Sequence, residues 1–172
     1  MDTPLEFSQV EPTMNVIRFE VARPLGVGGP RFATEDQARP EKASAFEVDV
    51  IYTTDAGTRG ALAMAWALAQ GLSVHVRLIF TCTVPYTLPL TAPSVSLPFL
   101  QDKLASLANS FSGEASVGIY LCRDPLPVLE EVLPPSSLVV LGGRKHWWGT
   151  KEQQLEKQLK SLGHSVIFAE SR

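Results

Sequence analysis

From residue 46 onward, apolar residues fall into short runs that alternate between two periods. Phe46 to Thr53 (FEVDVIYT) is rich in β-branched and aromatic residues and predicts a strand. After a short polar loop that Thr54 or Thr58 can cap, Ala61, Leu62, Ala65, Trp66, Leu68 and Ala69 recur at helical spacing. Gly71 closes that helix, because a left-handed residue costs glycine little. Ser73 to Cys82 predicts a second strand and opens a loop containing Pro85, Pro89 and Pro93. Leu97, Leu100, Leu104, Leu107 and Phe111 mark a second helix ending near Gly113. Ala115 to Leu121 is a third strand, and Pro125 to Leu133 a short helix with proline in its first turn. Leu138 to Leu141 is apolar on both faces, as a strand buried between helix layers requires. Thr150 to Leu162 predicts a fourth helix with a Leu155, Leu159 and Leu162 stripe, and Ser165 to Ala169 a fifth strand.

Five strands separated by helices, joined by right-handed crossovers, imply a doubly wound α/β fold: a five-stranded parallel sheet in the order 3-2-1-4-5, covered on both faces. The first 45 residues read differently. Pro4, Pro12, Pro24, Pro30 and Pro40 punctuate an extension or linker, within which Asn15 to Val21 alternates and can supply one edge strand. The expected division is therefore an extension over 1–45 and one α/β domain over 46–172.

Composition narrows the functional classes. With 45% hydrophobic and 19% charged residues, the chain has the balance of a folded globular protein. A net charge of -3 argues against nucleic-acid binding, which concentrates Lys and Arg. The cationic surplus lies in residues 141–172, with six Lys or Arg against three Asp or Glu. Two cysteines, no N-terminal secretory pattern and no apolar run approaching ~18 residues point to a cytoplasmic protein unattached to membrane. Cys82 and Cys122 end strands that would be neighbours, but buried cysteines usually serve as small hydrophobes. His75, His146 and His164 have no metal-ligand spacing.

In such a sheet, ligands bind beyond the carboxyl ends of the strands where the order reverses. That point lies between the turn Thr53-Thr54-Asp55-Ala56-Gly57 and the loop Gly142-Gly143-Arg144-Lys145-His146. An acid there faces a glycine-rich, basic loop leading to a helix N-terminus, which offers N–H groups and positive charge to a phosphate. Trp147 and Trp148 follow, suited either to stack a base or anchor a partner, or to pin the loop on the helix below.

Residues 46 to 169 resemble a universal stress protein domain of the adenine-nucleotide-binding α/β superfamily. The likeness rests on VDVIYTTDAGTRGALAMAWALAQGL, on SSLVVLGGR, and on the order of the elements between them. It implies a homodimeric binding module in stress response, acting on an unidentified protein partner. It also implies that ATP or AMP would sit between the acid Asp55, flanked by Thr54 and Ala56, and the phosphate-side residues Gly142, Gly143, Arg144, Lys145, Gly149 and Thr150. ATP-binding members carry Gly, two residues, Gly, nine residues, then Gly followed by Ser or Thr. Here Gly142 and Gly143 are adjacent, the second motif glycine falls on Lys145 or His146, and the loop to Gly149-Thr150 is shorter. Two branches stay open: a nucleotide-binding module, or a dimeric interaction domain without nucleotide. Dimerisation is expected along the terminal strand Ser165 to Ala169. A degenerate nucleotide hydrolase is a third reading, but no residues assemble a nucleophile with a base. Gly26-Val27-Gly28-Gly29-Pro30-Arg31 lacks the third glycine of a dinucleotide fingerprint, and no P-loop lysine or G-x-S-x-G elbow is present.

Overall fold

The computed structural model describes residues 16–21, 46–72, 74–110, 115–144 and 149–170, the first of these as backbone only. Phe111, Gly113 and the stretch 145–148, with Lys145, His146, Trp147 and Trp148, lie outside the described residues. The elements are β1 (Val16–Val21), β2 (Phe46–Ile51), α1 (Asp55–Ala69), β3 (Val74–Thr83), α2 (Leu97–Asn109), β4 (Ala115–Cys122), α3 (Pro125–Val132), β5 (Leu138–Gly143), α4 (Lys151–Ser161) and β6 (Ser165–Glu170). The sheet order is β1-β4-β3-β2-β5-β6. Its five parallel strands β4-β3-β2-β5-β6 are the expected 3-2-1-4-5 arrangement, and β1 adds an antiparallel edge against β4. The edge strand read in the extension is therefore formed.

Because successive strand residues face opposite sides, the apolar runs serve two cores at once. Val48, Val50, Val76, Leu78, Ile119 and Val140 meet α1 and α2, through Ala61, Leu62 and Ala65 and through Leu100, Leu104 and Leu107. Ile51, Ile79, Tyr120, Val139 and Leu141 meet α3 and α4 through Val128, Leu129 and Leu159. Helices thus cover both faces of the sheet.

Local chemistry sets the helix boundaries. The Thr54 hydroxyl accepts from the Gly57 N–H and caps α1, so the helix starts at Asp55, earlier than its apolar stripe suggests. Thr58 plays a different part: it is buried, and its hydroxyl accepts from the Thr53 N–H (3.2 Å). Gly71 follows α1 with φ of 80°, as a left-handed C-terminal residue should. Asp124 caps α3, and a reciprocal Thr150–Gln153 capping box opens α4. Of the expected leucine stripe, Leu159 is buried and Leu155 packs at the core margin, whereas Leu162 is exposed because it follows the end of the helix.

Cys82 belongs to the core on the α1/α2 face and Cys122 to the core on the α3/α4 face. Both are free thiols, and Cys122 Sγ lies 3.8 Å from the Cys82 carbonyl oxygen. The strands are adjacent, but the side chains leave the sheet in opposite directions. Burial pushes the Cys122 thiol up to about 11, leaving almost no thiolate at neutral pH. Cys122 is therefore expected to resist an aromatic disulfide reagent at pH 7 in the folded protein and to react only on unfolding. Rapid modification of both thiols under native conditions would contradict this packing.

Candidate functional site

The switch point falls between β2 and β5, where the fold places it, and its centre is the tip of β5. Thr53 Oγ1 donates to the Gly142 carbonyl (2.5 Å), joining the turn after β2 to the end of β5. Beside this bond the two backbones touch. A Cβ built on Gly142 would lie 1.8 Å from the Gly57 oxygen, and one on Gly57 would lie 2.6 Å from the Gly142 oxygen. The adjacent Gly143 faces the other layer, where a Cβ would lie 3.1 Å from Glu152 Cγ at the start of α4. The first turns of α1 and α4 thus grip the β5 tip from opposite faces. The adjacent glycines are explained by this double approach.

Each nominated residue can now be placed. Asp55 begins α1 rather than a loop, and its carboxylate accepts from Tyr52 Oη (2.6 Å) and Lys103 Nζ (2.9 Å). Those two donors, the tyrosine first, hold the Asp55 carboxyl below its ordinary value. Lys103, from α2, also donates to Tyr52 Oη (3.4 Å) and lies 5.7 Å from the centre of its ring. Phe80 meets that ring edge-on, with centroids 4.9 Å apart. Thr54 and Thr150 spend their hydroxyls on helix caps, Ala56 and Arg144 are exposed, and Gly149 takes a positive φ of 76° before α4. The structure brings the Asp55 turn and Gly142-Gly143 together. Lys145 lies outside the described residues.

Several organising residues were not read from the sequence. Tyr52 and Lys103 are 51 residues apart, with α1 and β3 between them in the chain, and belong to no motif. Arg123 donates to the carbonyls of Val84 (2.8 Å), Pro85 and Leu88 (2.9 Å), fastening the proline-rich loop beside this end of the sheet. Asp49 and Arg77 did leave a signal: each is a charge inside an apolar strand, and they are register partners across β2 and β3. Arg77 Nε donates to Asp49 Oδ1 (2.7 Å) and approaches Glu47 (3.3 Å). Burial raises the Asp49 carboxyl above its ordinary value, against the lowering effect of Arg77.

Comparison with protein-family models, curated proteins and solved structures finds no match to this chain. No helix among the described residues is long and apolar enough to cross a membrane.

Proposed function

We propose that the chain is a universal-stress-type binding and signalling module in stress response, working as a homodimer rather than by chemical turnover. The observation that carries this reading is β6: among the described residues this terminal strand pairs only with β5. A strand edge with unsatisfied N–H and C=O groups is a template for a second strand, and half-buried Val166 and Ile167 offer apolar side chains beside it. Multi-angle light scattering at tens of micromolar should give twice the chain mass. A monomer at that concentration would remove the dimeric reading.

A second reading, adenine-nucleotide binding at the same domain's switch point, is favoured by the convergence of the α1 and α4 N-termini on the β5 tip beside exposed Arg144. Helix N-termini favour anions. Against it, Asp55, Thr54, Thr150 and Gly142 already have structural partners, so a phosphate would find few uncommitted side chains. Calorimetric titration with ATP and AMP separates the two. Heat that disappears in Asp55→Ala supports nucleotide binding, whereas no heat at about millimolar nucleotide leaves the interaction domain.

A further inference from the structure

Helix α1 is apolar on more sides than it buries. From Gly60 to Leu72 the chain reads GALAMAWALAQGL, without one ionisable residue, and only Ala61, Leu62, Ala65 and Ala69 of this run are buried within the helix. A helix that is apolar all round is expected to be covered all round. One flank is covered. Asp55, Leu62 and Trp66 recur along it at helical spacing; Asp55 pairs with Lys103 of α2, and Trp66 packs on the core to which α2 contributes Leu100 and Leu104. The opposite flank is open. Met64 and Leu68, one turn apart, are each 39% exposed, Ala67 beside them is exposed, and a Cβ built on Gly60 would meet nothing within 4 Å.

The topology fixes where this open flank points. With its other flank turned to α2, which lies over β4, α1 turns Met64 and Leu68 the opposite way along the sheet, towards β6. Helix α1 lies over β5 and reaches β6, whose Ile167 and Ala169 belong to the same face. Among the described residues β6 is the last strand on that side, so the open helix flank and the free strand edge are neighbours. Their continuity identifies the occupant. Two β6 strands pairing antiparallel are related by a two-fold axis normal to the sheet, which keeps both α1 helices on one face and turns their open flanks towards each other. No charge on the flank is stranded by that approach, and Met64 and Leu68 supply long side chains to bridge two helices that each sit back over β5.

We propose that the Met64 and Leu68 flank of α1 is a second contact surface for another copy of this chain, meeting the same flank of its partner across the two-fold axis. The inference rests on the dimeric reading through β6 and adds to it the residues that hold the second layer of the interface.

The test uses the full chain and light scattering at tens of micromolar. The double variant Met64→Glu with Leu68→Glu places four like charges around the axis and removes apolar contact, so it should weaken the dimer by about 100-fold or more and run as a monomer. Met64→Lys with Leu68→Lys should do the same. An equimolar mixture of the two variants should recover the dimer mass, because opposite charges then face each other; that recovery also shows that both variants are folded. A dimeric wild type with a Glu variant that stays dimeric would overturn the α1 contact and leave the β6 dimer standing. Monomeric variants that fail to recombine, while keeping the helical circular dichroism of the wild type, would overturn the meeting of the two flanks. A monomeric wild type would remove the β6 reading and this contact together.

Discussion

Replacing Gly142 with alanine is expected to cost about 3 kcal/mol of folding stability and to lower the thermal midpoint by about 6–12 °C. The reason is the identity of the obstacle. The new Cβ would lie 1.8 Å from the Gly57 oxygen and 2.4 Å from its carbonyl carbon, both backbone atoms in the first turn of α1. Neither side can withdraw cheaply: Thr54 caps that turn, and Thr53 ties the Gly142 carbonyl to the loop before it. Two neighbouring glycines supply contrasts. Gly143→Ala meets the Glu152 side chain at 3.1 Å and the edge of the Phe168 ring at 3.3 Å, side chains rather than backbone, and should cost about 1 kcal/mol. At Gly149 an added Cβ has open space, but φ is 76°, so alanine there should cost about 1 kcal/mol through backbone strain alone. Urea unfolding of the three variants gives the ranking. Similar midpoints for Gly142→Ala and Gly143→Ala would mean that α1 does not press on the β5 tip as described.

Removal of the Arg77 guanidinium should be comparably severe. Arg77→Met leaves Asp49 fully buried without its main counter-charge, a change that typically costs about 3–5 kcal/mol. The double variant Asp49→Leu with Arg77→Met should recover most of the loss, since replacing both members of a buried pair with apolar groups of similar size is often neutral. The deficit should also depend on pH in a definite direction. Burial already holds the Asp49 carboxyl above 3.8, and Arg77 opposes that rise. Without Arg77 the folded-state value moves further up. A carboxyl raised in the folded state favours folding fully below its unfolded value and loses that contribution as pH rises through the folded one. The gap between wild type and Arg77→Met should therefore be smallest at acid pH and widest at neutral pH. A gap that grows on acidification would contradict the burial of Asp49.

The two ends of the sheet differ in how far the sequence announced them. At the carboxyl ends, the apolar runs and the reversal of strand order were enough to nominate Asp55 and the Gly142 loop, and the structure joins those segments through Thr53. The partners of Asp55 were not legible, because Tyr52 is a strand-end residue and Lys103 a cation on a polar helix face, and neither position has a distinctive pattern. At the amino ends the case is reversed. The charges Asp49 and Arg77 stand out within apolar runs, yet that they are partners is set by the register of β2 against β3.

By itself, the spacing of apolar residues determined which segments are strands and which are helices, because burial of a period-2 or period-3.6 face is a property of local sequence, and the βα alternation with right-handed crossovers led to the 3-2-1-4-5 order that the sheet has. The roles of individual polar and glycine residues were decided only in three dimensions. Gly142 reads as a phosphate-loop residue along the chain and as a helix–strand contact in space, since the neighbour that forbids its side chain is Gly57, far away in sequence. Asp49 likewise gains its counter-charge only through the register of β2 against β3, and no linear pattern contains that meeting.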